Sequence, residues 1–140
     1  MLYIGSDHAG YPLKKILLGA LHEWGVGFED LGCFSEEKAD YTEFATAVCD
    51  KAAAPPNRGL LVCGTGLGMS IMGNRRRGIR AALCHDVFSA KMARAHNDSN
   101  VLCLGARVIG HGAALEVLRA WLDTPFEGGR HAERIARFDV

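Results

Sequence analysis

The segment 59–70 constrains the fold of this chain more than any other, because an apolar run ends there on Cys63 and passes directly into a glycine-rich turn. Residues 59–62 form a short, continuously hydrophobic run, a pattern typical of a strand buried on both faces of a sheet. Residues 69–74 predict the start of a following helix. Cys63 is therefore expected at the carboxyl end of a strand, the edge where parallel sheets bind their ligands.

The glycines of this turn predict a place where the main chain can approach a ligand. Gly64, Gly66 and Gly68 carry no side chains that would keep backbone N–H groups away from it. The same amides could stabilise a thiolate on Cys63, which makes this thiol a candidate base or nucleophile. An alternative stays open from this residue alone, since a cysteine that ends a hydrophobic strand is often only a small buried residue.

Two other classes of glycine-rich loop are disfavoured by the residues that follow the turn. The dinucleotide-binding pattern Gly-x-Gly-x-x-Gly finds Met69 in place of its last glycine when counted from Gly64, and Ile71 when counted from Gly66. A cysteine-dependent phosphatase would need an arginine to close its phosphate loop at the position of Met69. Neither a nucleotide site nor a phosphatase loop is therefore expected.

Length, charge and cysteine usage limit the class of protein. A chain of 140 residues with 49% hydrophobic content predicts one domain, 1–140, that buries a core without disulfides or metal. Sixteen basic and sixteen acidic side chains balance, so no broad field favours nucleic acid or an anionic membrane. No leader pattern and no run near the roughly 18 apolar residues of a membrane span is seen, which predicts a cytoplasmic protein. Five cysteines without a Cys-x-x-Cys pair favour reduced thiols over disulfides or a zinc site.

The whole chain repeats a strand, a loop and a helix. Apolar runs predict strands at 2–6, 28–31, 59–62, 79–84 and 101–104. Helical spacing and breaker residues predict helices at 11–24, 42–53, 69–74, 87–96 and 110–122, followed by a short basic helix at about 130–138. Five strands that alternate with helices predict an α/β fold of three layers, with helices on both faces of a five-stranded parallel sheet.

Polar residues follow several of these strands and should meet at one edge of the sheet. Asp7 and His8 follow the first strand, Cys63 and Thr65 the third, and residues 100–107 bracket the fifth. Taken singly, Asp7 could only cap the next helix and His8 could only be a solvated loop residue. Their convergence favours a composite site.

Basic and amide residues elsewhere are further candidates. His96 and Asn97 end a helix just before a strand, where a histidine could simply favour the helix dipole. Arg130 and Arg134 lie on one face of the last helix, a spacing that can present two guanidinium groups to one phosphate, and Arg107 could add a third. Surface arginines that only aid solubility are common, so this pair is weak support by itself.

Four segments together resemble the ribose-5-phosphate isomerase B family, and the resemblance covers nearly the whole chain. They are Gly5-Ser-Asp-His-Ala-Gly10, Cys63-Gly-Thr-Gly-Leu-Gly68, His96-Asn-Asp-Ser-Asn-Val101 and Glu127-Gly-Gly-Arg-His131. The resemblance implies a metal-independent aldose–ketose isomerase of the pentose phosphate pathway, with a Rossmann-like α/β/α fold and no organic cofactor. It also implies a homodimer or tetramer whose active sites form between subunits. The related galactose-6-phosphate and allose-6-phosphate isomerases share much of the pattern, so the family is better defined than the sugar.

The resemblance also implies catalytic roles. Cys63 would be the base that moves a proton from C2 to C1 of the open-chain sugar through an enediolate, and Asp7 and His96 would assist ring opening. Thr65 and the loop amides would stabilise the enediolate oxygen. Members of the family that lack the cysteine use a glutamate at the position of Met69, so the presence of Cys63 places this chain with the cysteine-containing members.

Substrate contacts are implied in the same way. The implied positions are Gly64, Gly66, Gly68 and Ser70 in the loop, Tyr41 and Asn97 for sugar hydroxyls, and His8, Arg107, Arg130 and Arg134 for the phosphate. The resemblance implies that His96, Asn97 and Arg107 come from the neighbouring subunit. The stretch Asp40-Tyr-Thr-Glu43 has threonine where the commoner family pattern has proline.

Two alternatives to ribose 5-phosphate isomerisation follow from the same residues. One is isomerisation of a hexose 6-phosphate, allose or galactose 6-phosphate. The other is a cysteine phosphoryl carrier or a sugar-phosphate-binding module, which would need little beyond an exposed thiolate and amides. Asp7, Thr65 and His96 favour catalysis over a carrier.

Overall fold

The structure, a computed structural model, describes residues 1–139 and contains eleven helices and strands. The strands are β1 (Leu2–Ser6), β2 (Phe28–Asp30), β3 (Arg58–Cys63), β4 (Ala81–Leu83) and β5 (Val101–Gly105). The helices are α1 (Tyr11–Glu23), α2 (Tyr41–Ala52), α3 (Leu67–Asn74), α4 (Val87–Ala95), α5 (His111–Asp123) and α6 (Arg130–Ile135).

All five strands pair in parallel, in the order β2-β1-β3-β5-β4. This confirms the predicted five-stranded parallel sheet. The chain moves outwards from β1 to β2 and then returns to build the other half of the sheet from β3. Ligands of open α/β sheets bind at the carboxyl ends of strands where the direction of winding reverses, which here lies between β1 and β3.

Alternating residues of the central strands fill two separate cores. Leu60 and Val62 face the layer formed by α1, α4 and α5, whereas Leu61 and Cys63 face α2 and α3. Trp121 of α5 is fully buried in the first core. Because side chains alternate between the faces of a strand, a continuous apolar run is needed to serve both cores.

Side-chain hydrogen bonds fix the starts of two helices. The Asp40 carboxylate accepts from the N–H of Thr42 at 2.9 Å and begins α2. The Asp86 carboxylate accepts from the N–H of Ser89 at 2.6 Å and begins α4. Both bonds satisfy donors that the first helical turn leaves unpaired.

Three elements differ from the predicted ranges by two or more residues at one end. α3 begins at Leu67 rather than at residue 69, because Gly66 takes a left-handed φ of 78° and turns the chain into the helix early. β4 is shorter than 79–84, because the N–H of Arg80 donates to the side chain of Asn100 at 2.7 Å instead of pairing with a strand. The last helix ends at Ile135 rather than near residue 138.

All five cysteines are free and buried, as predicted for reduced thiols. Within residues 1–139, no helix combines the length and the apolar character needed to cross a membrane.

Candidate active site

A cleft of about 430 Å³ opens beyond the carboxyl ends of β1 and β3. It is lined by Asp7, His8, Ala9, Tyr41, Cys63, Gly64, Thr65, Gly68 and Arg107. The fold therefore brings together polar residues that are up to 100 positions apart in the chain, at the edge predicted from the strand ends.

Cys63 lies at the base of this cleft and its side chain has a hydrogen-bond donor. The N–H of Gly66 donates to Sγ at 3.1 Å, and the residue is 6% exposed. Glycine is required at position 66 for two reasons. Its φ is left-handed, and a Cβ would lie 3.0 Å from the backbone carbonyl carbon of Leu104. The arrangement places the sulfur next to an amide N–H just before the start of α3.

Burial raises the pKa of three other thiols of the chain. Burial raises the pKa of Cys49 to about 11. Burial also raises the pKa of Cys84, and raises that of the fully buried Cys103 well above its ordinary value. These three side chains therefore stay protonated at neutral pH and fit the structural role that a buried cysteine often has.

Asp7 both shapes the first turn and lines the cleft. Its Oδ1 accepts from the N–H of Gly10 at 2.9 Å just before α1, and the residue is 7% exposed. Gly10 cannot carry a side chain, since a Cβ would lie 2.1 Å from the carbonyl oxygen of Val62. Asp7 therefore does not cap α1, whose N-cap Gly10 has no side-chain capping bond; its carboxylate fixes the turn before the helix and borders the cleft.

Main-chain groups position the side chains of His8 and Thr65. Nδ1 of His8 lies 3.1 Å from the amide nitrogen and 3.2 Å from the carbonyl oxygen of Ala39, so the ring is tied to the loop before α2. Oγ1 of Thr65 accepts from the N–H of Leu67 at 3.2 Å. Both side chains border the cleft that contains the Cys63 sulfur.

Arg107 lies in the cleft of its own chain. The resemblance implied that Arg107 comes from the neighbouring subunit, and within this single chain Arg107 already borders the cleft. Parallel pairing sets Cys63 opposite Gly105, and the N–H of Arg107 then donates to the carbonyl of Gly64 at 2.9 Å. Its Nη1 lies 3.4 Å from the point where a Cβ of Gly64 would stand, so the guanidinium faces the glycine loop.

Tyr41 reaches the cleft across the start of α3. Its ring lies against Gly68, where an added Cβ would be 2.7 Å from Cε2. Threonine at position 42 still starts the helix, because both its N–H and its hydroxyl donate to the Asp40 carboxylate, at 2.9 and 2.8 Å. The departure from the commoner family pattern at this loop therefore leaves Tyr41 at the cleft.

Comparisons with known proteins agree with this geometry. The family model described as Ribose/Galactose Isomerase matches residues 2–138. The chain belongs to the ribose/galactose isomerase family. The prediction that this chain is a sugar-phosphate isomerase is confirmed at the level of the family.

Individual relatives cover almost the full length of this isomerase. Ribose-5-phosphate isomerase B of Escherichia coli is 43% identical over 132 residues, which cover 94% of this chain and 89% of that protein. D-erythrulose-4-phosphate isomerase of Pectobacterium atrosepticum is 40% identical over 136 residues, 96% of this chain and 90% of that protein. The solved structure of Clostridium thermocellum ribose-5-phosphate isomerase B superposes with a TM-score of 0.96 at 42% identity, covering 99% of this chain and 94% of the other.

Several residues predicted for the isomerase site do not line this cleft. They are Gly66, Ser70, His96, Asn97, Arg130 and Arg134. Gly66 does not border the cleft itself, but its N–H donates to the Cys63 sulfur. The Ser70 hydroxyl donates to the carbonyl of Leu67 at 2.8 Å within α3. Asn97 borders a separate cleft of about 420 Å³ together with Arg80 and Phe138.

His96 belongs to a cluster with two residues of the C-terminal segment. Its ring stacks on that of His131 with centroids 4.2 Å apart and an interplanar angle of 10°. Nε2 of His96 and Nε2 of His131 lie 3.9 and 3.7 Å from the two carboxylate oxygens of Glu127. These three side chains could offer metal ligands. The nearly parallel rings argue against one shared ion, because a metal cannot lie in both ring planes at once.

Sequence reasoning missed the partners that support the site. It assigned no role to Gly10, to the Ala39 main chain that holds His8, or to His131 beside His96. Another missed residue is Gly105, where a Cβ would lie 2.5 Å from the carbonyl oxygen of Thr65. The glycines within the quoted motifs gave a local signal, whereas the His96–His131 contact joins residues 35 positions apart and had none.

Proposed function

We propose that this isomerase interconverts ribose 5-phosphate and ribulose 5-phosphate through an enediolate, with Cys63 as the base. The observation that supports this most directly is the Cys63 sulfur, which accepts an amide hydrogen bond in a cleft lined by Asp7, Thr65 and Arg107. Aldose–ketose isomerisation requires a group that moves a carbon-bound proton and donors that hold the resulting oxyanion. A thiolate beside glycine-loop amides can supply both, and the reaction has no chemical need for a metal.

The proton movements balance without a further reactant. The thiolate takes the proton from C2 of the open-chain aldose, and the C1 carbonyl becomes the oxyanion of the enediolate. The proton then returns from sulfur to C1, while the C2 hydroxyl loses its proton as the C2 carbonyl forms and O1 gains one. Thr65 and the amides of residues 64–70 act on the oxyanion, a contribution of about 3–4 kcal/mol for a well-placed donor.

The phosphate of the substrate is proposed to bind at the basic end of the cleft. His8 and Arg107 border it. Arg130 and Arg134 lie outside the cleft of their own chain, on α6 beside His96, so α6 of a neighbouring copy would complete the clamp with the two-pronged hydrogen bonding that guanidinium groups provide. Because the phosphate is remote from C1 and C2, its binding energy serves orientation of the sugar rather than the chemical step.

We further propose that the complete site forms between two subunits of a dimer or tetramer. His96, assigned to ring opening with Asp7, and Asn97, assigned to a sugar hydroxyl, lie outside the cleft of their own chain. A neighbouring copy could bring them to the Cys63 cleft. The proposal includes one domain, 1–140, whose α6 contributes to the site, in a cytoplasmic enzyme of the pentose phosphate pathway.

The sugar itself is the least constrained part of the proposal. The family includes a relative named for D-erythrulose 4-phosphate, and hexose 6-phosphates such as allose and galactose 6-phosphate are the alternative predicted from the sequence. Ribose 5-phosphate is favoured because both the Escherichia coli relative and the Clostridium thermocellum structure are ribose-5-phosphate isomerases. Membership of an isomerase family disfavours the carrier and binding-module alternatives.

A substrate panel in deuterated water tests both the sugar and the mechanism. We expect the highest kcat/KM with ribose 5-phosphate among the pentose, hexose and erythrulose phosphates. Because the thiol proton can exchange with solvent before it returns, a reaction in deuterated water should place deuterium at C1 of part of the ribulose 5-phosphate, which NMR detects. An absence of deuterium at C1 would contradict a base that exchanges with solvent.

The role of the base is tested by replacing Cys63 with alanine. Loss of a positioned base should lower kcat about 100- to 10,000-fold while the unfolding midpoint and sugar-phosphate binding change little. Cys49→Ala is the matched control, because Cys49 is buried in the same core as Cys63 but lies outside the cleft. Turnover near that of the wild type in Cys63→Ala would refute the assignment.

A further inference from the structure

A second cluster of charged residues lies at the opposite, amino-terminal edge of the sheet. Arg58 begins β3, Arg80 precedes β4 and Arg94 lies in α4, and all three border a cavity of about 230 Å³ together with Asp98 and Asn100. Arg58 and Cys63 are the two ends of the same strand, so this cavity is separated from the proposed catalytic base by about 16 Å along β3.

Positive charge exceeds negative charge in this cluster. Asp98 pairs with both Arg94, at 2.8 Å, and Arg80, at 3.4 Å. Arg58 donates to the carbonyl of Leu122 at 3.2 Å and has no carboxylate partner within residues 1–139. Three guanidinium groups therefore share one carboxylate around the cavity.

Arg94 retains an unpaired edge although it is almost completely buried. The residue is 5% exposed, and its Nη1 donates to Asp98 and to the carbonyl of Ser99 at 2.6 Å. Its Nε has no hydrogen-bond partner in the described part of the chain. A buried donor without a partner is costly, and Arg94 adds its positive charge to the border of the cavity.

Packing holds these like charges together. The guanidinium carbons of Arg58 and Arg94 lie 5.4 and 5.9 Å from the ring centroid of the buried Trp121. Burial and the charge of Arg94 lower the pKa of Arg58. An anion in the cavity would offset this repulsion, because it would interact favourably with both guanidinium groups.

We propose that the cavity bordered by Arg58, Arg80 and Arg94 binds a small tetrahedral oxyanion, either free phosphate or the phosphoryl group of a small phosphomonoester. The site is separate from the cleft proposed for the substrate phosphate, and it does not depend on the proposed reaction. Its volume accommodates one such group beside Asp98.

Tryptophan fluorescence gives a local measurement of binding. The chain has two tryptophans, so Trp24→Phe leaves Trp121 as the single emitter, in contact with the two arginines. In this background, inorganic phosphate at constant ionic strength should change the emission saturably. A parallel titration with methyl phosphate distinguishes the two possible ligands. A site for the phosphoryl group of an ester should saturate with both inorganic phosphate and methyl phosphate, whereas a site for the free ion should saturate with inorganic phosphate alone.

Two substitutions of opposite expected sign test the location of the anion. Arg58→Gln should weaken binding about tenfold or more, because it removes a charge-assisted contact. Asp98→Asn should tighten binding severalfold, because it removes the competing carboxylate, and asparagine tolerates the positive φ of 45° at this position. Arg119→Gln is the matched control, since Arg119 lies over the aromatic ring at position 24, which is phenylalanine in this background, and lies outside the cavity.

Three results would overturn the proposal. One is a linear, unsaturated change that is the same in all variants. Another is binding that survives Arg58→Gln and is lost in Arg107→Gln, which would place the anion in the catalytic cleft. The third result applies if Arg58→Gln does not fold. In that case, an Asp98→Asn variant that binds phosphate with unchanged affinity would exclude an anion beside this carboxylate.

Discussion

Replacing Gly68 with alanine is expected to impair catalysis much more than folding. The ideal position of the new Cβ lies 2.7 Å from Cε2 and 2.8 Å from Cζ of Tyr41. Carbon atoms in ordinary contact are about 3.5–4.0 Å apart, so the phenol ring must retreat by roughly 1 Å. Tyr41 is 38% exposed, and its ring can therefore move away from the cleft without displacing the core.

The magnitudes of the two effects differ. Alanine in place of glycine favours a helix by up to about 1 kcal/mol. A displaced rotamer of the exposed ring costs a similar amount, about 0.5–1.5 kcal/mol, so the free energy of unfolding should change by less than about 1 kcal/mol. A misplacement of about 1 Å in a substrate-positioning group can cost up to about 100-fold in rate, and we expect kcat/KM to fall about 10- to 100-fold.

A double-mutant cycle with Tyr41→Ala isolates the cause. Activity is measured as kcat/KM for ribose 5-phosphate, and stability by urea unfolding. If Gly68→Ala acts by displacing the phenol, the double variant should have the same kcat/KM as Tyr41→Ala alone. Gly112→Ala in α5 is the matched control, because a Cβ there meets no atom within 4 Å, and it should keep full activity.

Two outcomes would contradict this reasoning. Full activity of Gly68→Ala would show that the position of Tyr41 does not matter for turnover. Losses that multiply in the double variant would show that Gly68 and Tyr41 act independently, for instance through the loop amides rather than through the ring.

Two further predictions concern assembly and pH. If His96 serves the neighbouring subunit, mixing inactive Cys63→Ala and His96→Ala subunits should restore part of the activity in hybrid oligomers. Native mass spectrometry would show whether the subunits exchange. No recovery of activity despite exchange would mean that Cys63 and His96 of the same chain act together. Burial and the nearby His96 and Arg130 lower the pKa of His131, so between this pKa and about 6.5 the unfolded chain binds more protons and stability falls as pH falls. His131→Gln should therefore lose less unfolding free energy than the wild type between pH 7.5 and 5.5, as measured by urea unfolding at each pH, and identical losses would exclude His131 as the cause.

Local sequence patterns predicted the sheet and one half of the cleft. Strand Arg58–Cys63, the turn after it and the polar residues Asp7 and His8 could be placed because each depends on near neighbours in the chain: apolar runs make buried strands, and glycines permit tight turns. The carboxyl ends of parallel strands meet at one edge, so the convergence of Asp7, Thr65 and Cys63 also followed from the pattern.

The placement of Arg107 needed the tertiary structure, because it follows from the pairing of β3 with β5, which sets Cys63 opposite Gly105. The stacking of His96 on His131 likewise depends on how the C-terminal segment returns across the end of α4, where the N–H of Glu127 donates to the carbonyl of Ala95 at 3.0 Å.

The amino acid sequence by itself determined which residues form strands, turns and helices, since hydrophobic periodicity and turn chemistry act over a few residues. Tertiary structure alone decided which distant charges became neighbours. Arg58, Arg80 and Arg94 come from three separate segments of the chain and have no shared motif. They meet beside Asp98 only because strand register and helix packing bring them together. Contacts of this kind are set by long-range packing, which a local pattern does not encode.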